Sequence, residues 1–187
     1  VQPRIPRQSA REQGIHRADN DARLSAELAA VVAGARRRAL RDGDRQIDTA
    51  HLLHSLLESD PEARAVFGDG PQIARLLGYL VQRSIGYGLR WQGTVEDSGA
   101  IPVIPTAEGW SPLAAGALEY ACERAELRAE LRGEDLACGI DLLAAIVADP
   151  ESRAVEVLHR AGIEYPDVLI WIEGRSGEYV RGAETGC

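Results

Sequence analysis

His51 and His54 stand three residues apart in Ile47-Asp48-Thr49-Ala50-His51-Leu52-Leu53-His54, a spacing that lets two imidazoles share one face of a helix. Such a pair can begin a zinc site. A catalytic zinc takes three protein ligands, however, and the local pattern offers neither a third ligand nor a glutamate base. A buried or helix-capping His51 explains the same residues without a metal, and no metal is expected. Cys122, Cys138 and Cys187 are odd in number and lack metal or redox spacing, so they predict reduced thiols in a cytoplasm rather than a disulfide scaffold. Arg36, Arg37, Arg38 and Arg41 crowd towards the end of a predicted helix, where the negative helix terminus favours cations. The net charge of −8 opposes nucleic-acid binding and adhesion to anionic membranes, so neither is expected as a partner.

Nucleotide chemistry is also excluded by residue type. All 21 cationic side chains are Arg, and a phosphate-cradling Walker loop needs its Lys. Gly86 and Gly88 begin a glycine pattern that lacks the third glycine and the preceding strand of a dinucleotide site. No Ser, His and acid constellation stands out. The chain is therefore expected to hold no cofactor and no catalytic residues.

The elements that carry these residues read as helices. Aromatic residues make up 5% of the 187, with one Phe and no Met, so the core must be built of Leu, Ala, Val and Ile. No apolar run is long enough to span a bilayer. Residues 1–23 lack apolar periodicity and read as an arm. Ser25 caps a predicted helix whose apolar positions are Leu28, Val31, Val32, Ala35 and Leu40, ending near Asp42-Gly43-Asp44. Asp48 or Thr49 caps the next, with its leucines inward. A further helix from Gln72 to about Tyr87 places Ile73, Leu76, Leu77, Leu80, Val81 and Ile85 inward. Residues 88–109, rich in Gly and Pro, read as a connector. Beyond it, Ser111-Pro112 opens a helix running to Gly133 with Leu113, Ala117, Leu118, Ala121, Ala125, Leu127 and Leu131 on its apolar face, and Cys122 as a small buried hydrophobe. A last helix starts near Glu164-Tyr165-Pro166-Asp167, and after Gly174 a polar, frayed tail (175–187) is expected.

One stretch is written twice. Asp60-Pro61-Glu62-Ala63-Arg64-Ala65-Val66 returns as Asp149-Pro150-Glu151-Ser152-Arg153-Ala154-Val155, with six of seven residue types unchanged. Asp as N-cap, Pro in the first helical position and Glu at the positive helix end predict that each copy opens a helix. Leu24-Ser25 and Trp110-Ser111 are likewise 86 residues apart, and Leu52 and Leu142 are 90 apart. The chain thus reads as all-α, with two tandem, pseudo-twofold-related four-helix repeats over 24–87 and 110–174, each burying its apolar face on the other.

This order resembles the N-terminal domain of the Clp family of protein-unfolding ATPases, the ClpC and ClpA type above all. There each repeat begins with an aromatic or Leu followed by a Ser/Thr cap, matched by Leu24-Ser25 and Trp110-Ser111, and continues with a Thr-Glu-His-Leu-Leu-like helix start. Thr49-Ala50-His51-Leu52-Leu53 matches that start well, and Gly139-Ile140-Asp141-Leu142-Leu143 matches it poorly. The likeness covers residues 24–174 and lacks the ATPase modules, so the chain looks like a stand-alone Clp N-domain protein or an excised N-domain.

The resemblance implies a non-catalytic module that binds unfolded substrates, adaptors or other Clp protease components and so modulates proteolysis. It also implies a surface for small cyclic peptides where the first helices of the repeats approach; by alignment Val32, Trp110 and Glu119 belong there. Phosphoarginine binding in the family uses the acidic residue of the Thr-Glu-His pattern. Here Ala50 and Ile140 replace it, which removes the charge-assisted acceptors for a guanidinium. The other reading is a structural or regulatory helical protein that keeps this fold and binds an unrelated partner through its arm or tail.

Overall fold

The computed structural model describes residues 22–68, 70–84, 95–96, 109–133 and 136–184. Among them are eight helices: α1 (Ala26–Asp42), α2 (Thr49–Ser59), α3 (Pro61–Ala65), α4 (Gly70–Ser84), α5 (Pro112–Arg132), α6 (Gly139–Ala148), α7 (Arg153–Arg160) and α8 (Tyr165–Glu184). The fold is all-α. Residues 1–21 of the arm, most of the connector, Ile85 and Cys187 lie outside the described residues, as does the side chain of Leu131.

Helix starts follow the caps. Ser25, Asp48 and Ser111 accept from the backbone N–H groups of Leu28, His51 and Ala114, which satisfies donors that the first turn leaves orphaned. His51 completes a capping box, because its Nδ1 accepts from the Asp48 N–H at 3.1 Å. Gly43 and Gly133 end α1 and α5 in the left-handed conformation, at φ 72° and 75°, where a side chain would be strained.

The core is centred on α2 and α6. Every residue of α2 from Thr49 to Leu57 is buried, and α6 is buried from Leu142 to Val147; α1 packs on α2, α5 packs on α6, and α2 also meets α6. Two isolated parallel bridges tie the halves together: Leu24 with Ala137 and Ile47 with Trp110. In the first, Ser25 N donates to Ala137 O and Ala137 N to Arg23 O, both at 2.9 Å; in the second, Ser111 N donates to Ile47 O at 2.9 Å and Ile47 N to Gly109 O at 2.6 Å. Each half thus completes its hydrogen bonding just before a first helix on backbone from the other half.

Five expectations are corrected. Leu40 (84% exposed), Val81 and Leu127 face solvent. Each lies about 100° or 200° around its helix from the buried stripe, carried by Ala39 in α1, by Leu76 and Leu80 in α4, and by Ala121 and Ala125 in α5. The second copy of the repeated stretch does not open a helix at Asp149. Its first three residues form a turn, with Asp149 Oδ1 accepting from Glu151 N at 2.9 Å, and α7 starts at Arg153. The cause is the single residue that differs between the copies: Ser152 supplies a hydroxyl that caps Val155 N at 3.2 Å, whereas Ala63 has none, so that Asp60 caps α3. Finally, α8 continues through Gly174 to Glu184, over most of the stretch expected to be a frayed tail.

Candidate functional site

The three residues expected at a peptide surface lie along one seam. Val32 is buried on α1, and Trp110 is buried at the entry to α5 with the Arg36 guanidinium 5.1 Å from its ring centroid. Glu119, two turns into α5, is exposed and accepts from Arg23, just ahead of α1, at 3.1 Å; Arg23 also reaches Glu126 at 2.7 Å. Arg36 therefore meets one end of α5 and Arg23 its middle. Trp110 is packed under Arg36, with most of its ring buried.

Of these residues only Glu119 also lines an open groove of about 730 Å³ beside the seam. Leu113, Ala117 and Ala145 form its buried floor, with the exposed Tyr120 above them; Glu119, Glu123, Asp149 and Glu151 stand around it. The turn made by the second copy of the repeated stretch is one wall. Had Asp149 opened a helix there, this wall would have a different shape. A groove with an apolar floor and a carboxylate rim suits an extended apolar segment that carries cations.

A second polar centre lies between the halves and belongs to the connector. The buried carboxylate of Glu96 accepts four hydrogen bonds, two on each oxygen. Thr49 N (2.9 Å) and the Ser111 hydroxyl (2.7 Å) donate to Oε2, while Arg153 N (2.8 Å) and the Thr49 hydroxyl donate to Oε1. Thr49 Oγ1 in turn accepts from Ala154 N at 3.1 Å and Ser111 Oγ from Ala114 N at 3.1 Å, so each hydroxyl both donates and accepts. One anion thereby sits at the positive ends of α2, α5 and α7 together. Beside it the Arg153 guanidinium donates to Asp48 Oδ2 at 2.7 Å, and both of these side chains are buried. Glu96 carries no mark in the sequence that sets it apart from the other 28 acidic residues.

His51 and His54 do not converge. His51 Nε2 faces Asp44 Oδ2 at 3.0 Å, whereas His54 Nε2 faces Glu58 Oε1 at 3.5 Å. Burial, with the nearby Arg38 guanidinium, pushes the His54 pKa down to about 4, against 6.5 in water. The folded state then holds His54 neutral where the unfolded chain protonates it. Its contribution to stability is complete above pH 6.5 and is lost as the pH falls through about 4. Urea unfolding should accordingly show stability falling over this window with a His54 slope of up to about 1.4 kcal/mol per pH unit. His54→Asn should flatten it; an unchanged slope would show that other groups carry the acid sensitivity.

Among the described residues, neither Cys122 nor Cys138 is an activated thiol. Burial and Asp141, whose Oδ2 lies 3.2 Å from Cys138 Sγ, raise the Cys138 pKa to about 11, and burial raises that of Cys122. Arg36 stacks on Trp110, Arg38 pairs with Glu58 and Arg41 with Asp42, so the arginine cluster is partly spent within the fold.

No protein-family model matches the sequence, and no curated protein matches it significantly. Among solved structures, the chain is similar to the N-terminal domain of the caseinolytic protease associated chaperone ClpD from Arabidopsis thaliana. The TM-score is 0.57 at 17% identity, and the match covers 83% of this chain and 98% of that one. The fold is Clp N-domain-like. No helix among the described residues is long and apolar enough to cross a membrane.

Proposed function

We propose that this chain is a non-catalytic protein-binding module of the Clp N-domain kind, which engages substrates, adaptors or small peptides and so modulates Clp-dependent proteolysis in the cytoplasm. The observation that carries this reading is the groove between α5, α6 and the Asp149–Glu151 turn, with its apolar floor and four carboxylates. Its natural occupant is an extended segment that alternates apolar and basic residues: the apolar side chains cover Leu113, Ala117 and Tyr120, and the cations meet the rim. Glu119 joins this groove to the seam marked by Val32 and Trp110, which extends the same surface towards small peptides. Phosphoarginine is not included. Ala50 and Ile140 stand where the family's acidic residues would be, and the Thr49 and Ser111 hydroxyls already donate to Glu96.

Fluorescence anisotropy with a labelled Leu/Arg peptide and its Leu/Glu counterpart tests the reading. The Leu/Arg peptide should bind and the Leu/Glu peptide should not, with affinity weakening as salt rises. Charge reversal at two exposed rim positions, Glu123→Arg with Glu151→Arg, should weaken binding at least tenfold while the fold stays intact. If neither peptide binds below millimolar concentration, or the reversed variant binds as tightly, the groove is not the site.

A further inference from the structure

The end of α1 brings together three groups that the sequence keeps apart from one another as ligands. The Schellman-type turn at Gly43, with Asp44 N donating to Ala39 O at 3.0 Å, folds Asp44 back over the start of α2, where His51 points at it. One carboxylate oxygen of Asp42, one of Asp44 and a ring nitrogen of His51 all lie within 4.8 Å of one another.

Asp42 is the telling member. Its side chain is only 8% exposed, and its Oδ2 is buried with no hydrogen-bond partner. It also sits in the last turn of α1, where the negative helix end repels an anion. A buried carboxylate oxygen left without a donor is costly, and a bound cation removes that cost. The remaining contact, from Arg41 Nε to Oδ1 at 3.5 Å, is long, and Arg41 is two-thirds exposed.

We propose that Asp42, Asp44 and His51 form a binding site for a divalent first-row transition cation, with Zn²⁺ as its representative. Imidazole nitrogen with two carboxylate oxygens is a borderline donor set that suits Zn²⁺ and its neighbours. A cation would draw these three atoms, which lie within 4.8 Å of one another, to bonds of about 2.0–2.2 Å. Asp44 is the exposed ligand, so the remaining coordination positions open to water. The far ring nitrogen is also provided for: Asp48 Oδ1 lies 2.8 Å from His51 Nδ1, the place of the carboxylate that accepts the proton of a metal-bound histidine. In that tautomer the Asp48 N–H gives up its bond to Nδ1, and Asp48 keeps the bond from His51 N at 3.0 Å.

The test is calorimetric titration of the full chain, freed of metal with EDTA, with ZnCl₂, together with thermal unfolding with and without Zn²⁺. The wild type should bind one Zn²⁺ per chain and unfold at a higher temperature when it is present. Asp42→Asn and, separately, the exposed Asp44→Asn should weaken binding at least tenfold and abolish the thermal gain. In EDTA the Asp42→Asn chain should unfold no earlier than wild type, since it loses a buried carboxylate oxygen that has no hydrogen-bond donor. Co²⁺ in place of Zn²⁺ should give a spectrum without thiolate charge-transfer bands. Absence of binding below millimolar Zn²⁺, binding that survives both substitutions, or a thiolate band would each overturn the assignment.

Discussion

Glu96→Gln is expected to lower the unfolding free energy by about 2–3 kcal/mol, and Glu96→Ala by about 3–5 kcal/mol, although Glu96 lies in a connector far from either half in sequence. The carboxylate takes donors from Thr49, Ser111 and Arg153, and all of the groups are buried. Glutamine keeps one acceptor oxygen but turns a pair of hydrogen-bond donors on neighbours that are themselves donors. Alanine leaves two backbone N–H groups and two hydroxyls without the charged acceptor that satisfied them. Urea unfolding followed by circular dichroism measures the change. A loss below about 0.5 kcal/mol for the alanine variant would mean that water replaces the carboxylate at almost no cost, and that the Glu96 centre does not hold the halves together.

Arg153→Met is expected to cost about 3–5 kcal/mol, because it strands the Asp48 carboxylate in the interior. Asp48 is wholly buried, Arg153 is 7% exposed, and their 2.7 Å contact joins the cap of α2 to the first residue of α7. Asp48→Asn combined with Arg153→Met should recover a good part of the loss, since the amide retains a cap for His51 N without an unpaired charge. The double-mutant cycle isolates the coupling. If the double variant instead loses the sum of the two single losses, the coupling is zero and the pair holds nothing between the halves beyond its separate packing. Arg153 and Glu96 share a site through the Arg153 backbone N–H, so their substitutions should not add.

Much of the scaffold is legible one helix at a time. Ser25, Ser111 and Asp48 cap the helices that their types and neighbours predict, and the stripe Leu28, Val31, Val32 and Ala35 is buried as its spacing requires. The same rules misplace Leu40, Val81 and Leu127, since apolar type alone does not say where a stripe ends. They also misplace the second Asp-Pro-Glu, because one hydroxyl at Ser152 lets a competing cap form three residues later. Composition and motif gaps dispose of the nucleotide-loop readings. They leave the candidate binding surfaces almost unmarked.

By itself the sequence determined an all-helical chain, its capped starts, its glycine stops and most of its buried stripes. Those depend on interactions between residues three or four apart, which a linear pattern displays directly. Only the tertiary structure decided which polar groups meet. Glu96 reaches Thr49, Ser111 and Arg153 across 47, 15 and 57 residues. The groove borrows the turn after α6 to complete a surface begun on α5, and the wound-back end of α1 gives His51 the two carboxylates that its own helix lacks. A burial pattern fixes which face of a helix turns inward. It does not fix which distant side chain waits there, and that pairing is where the candidate sites of this protein arise.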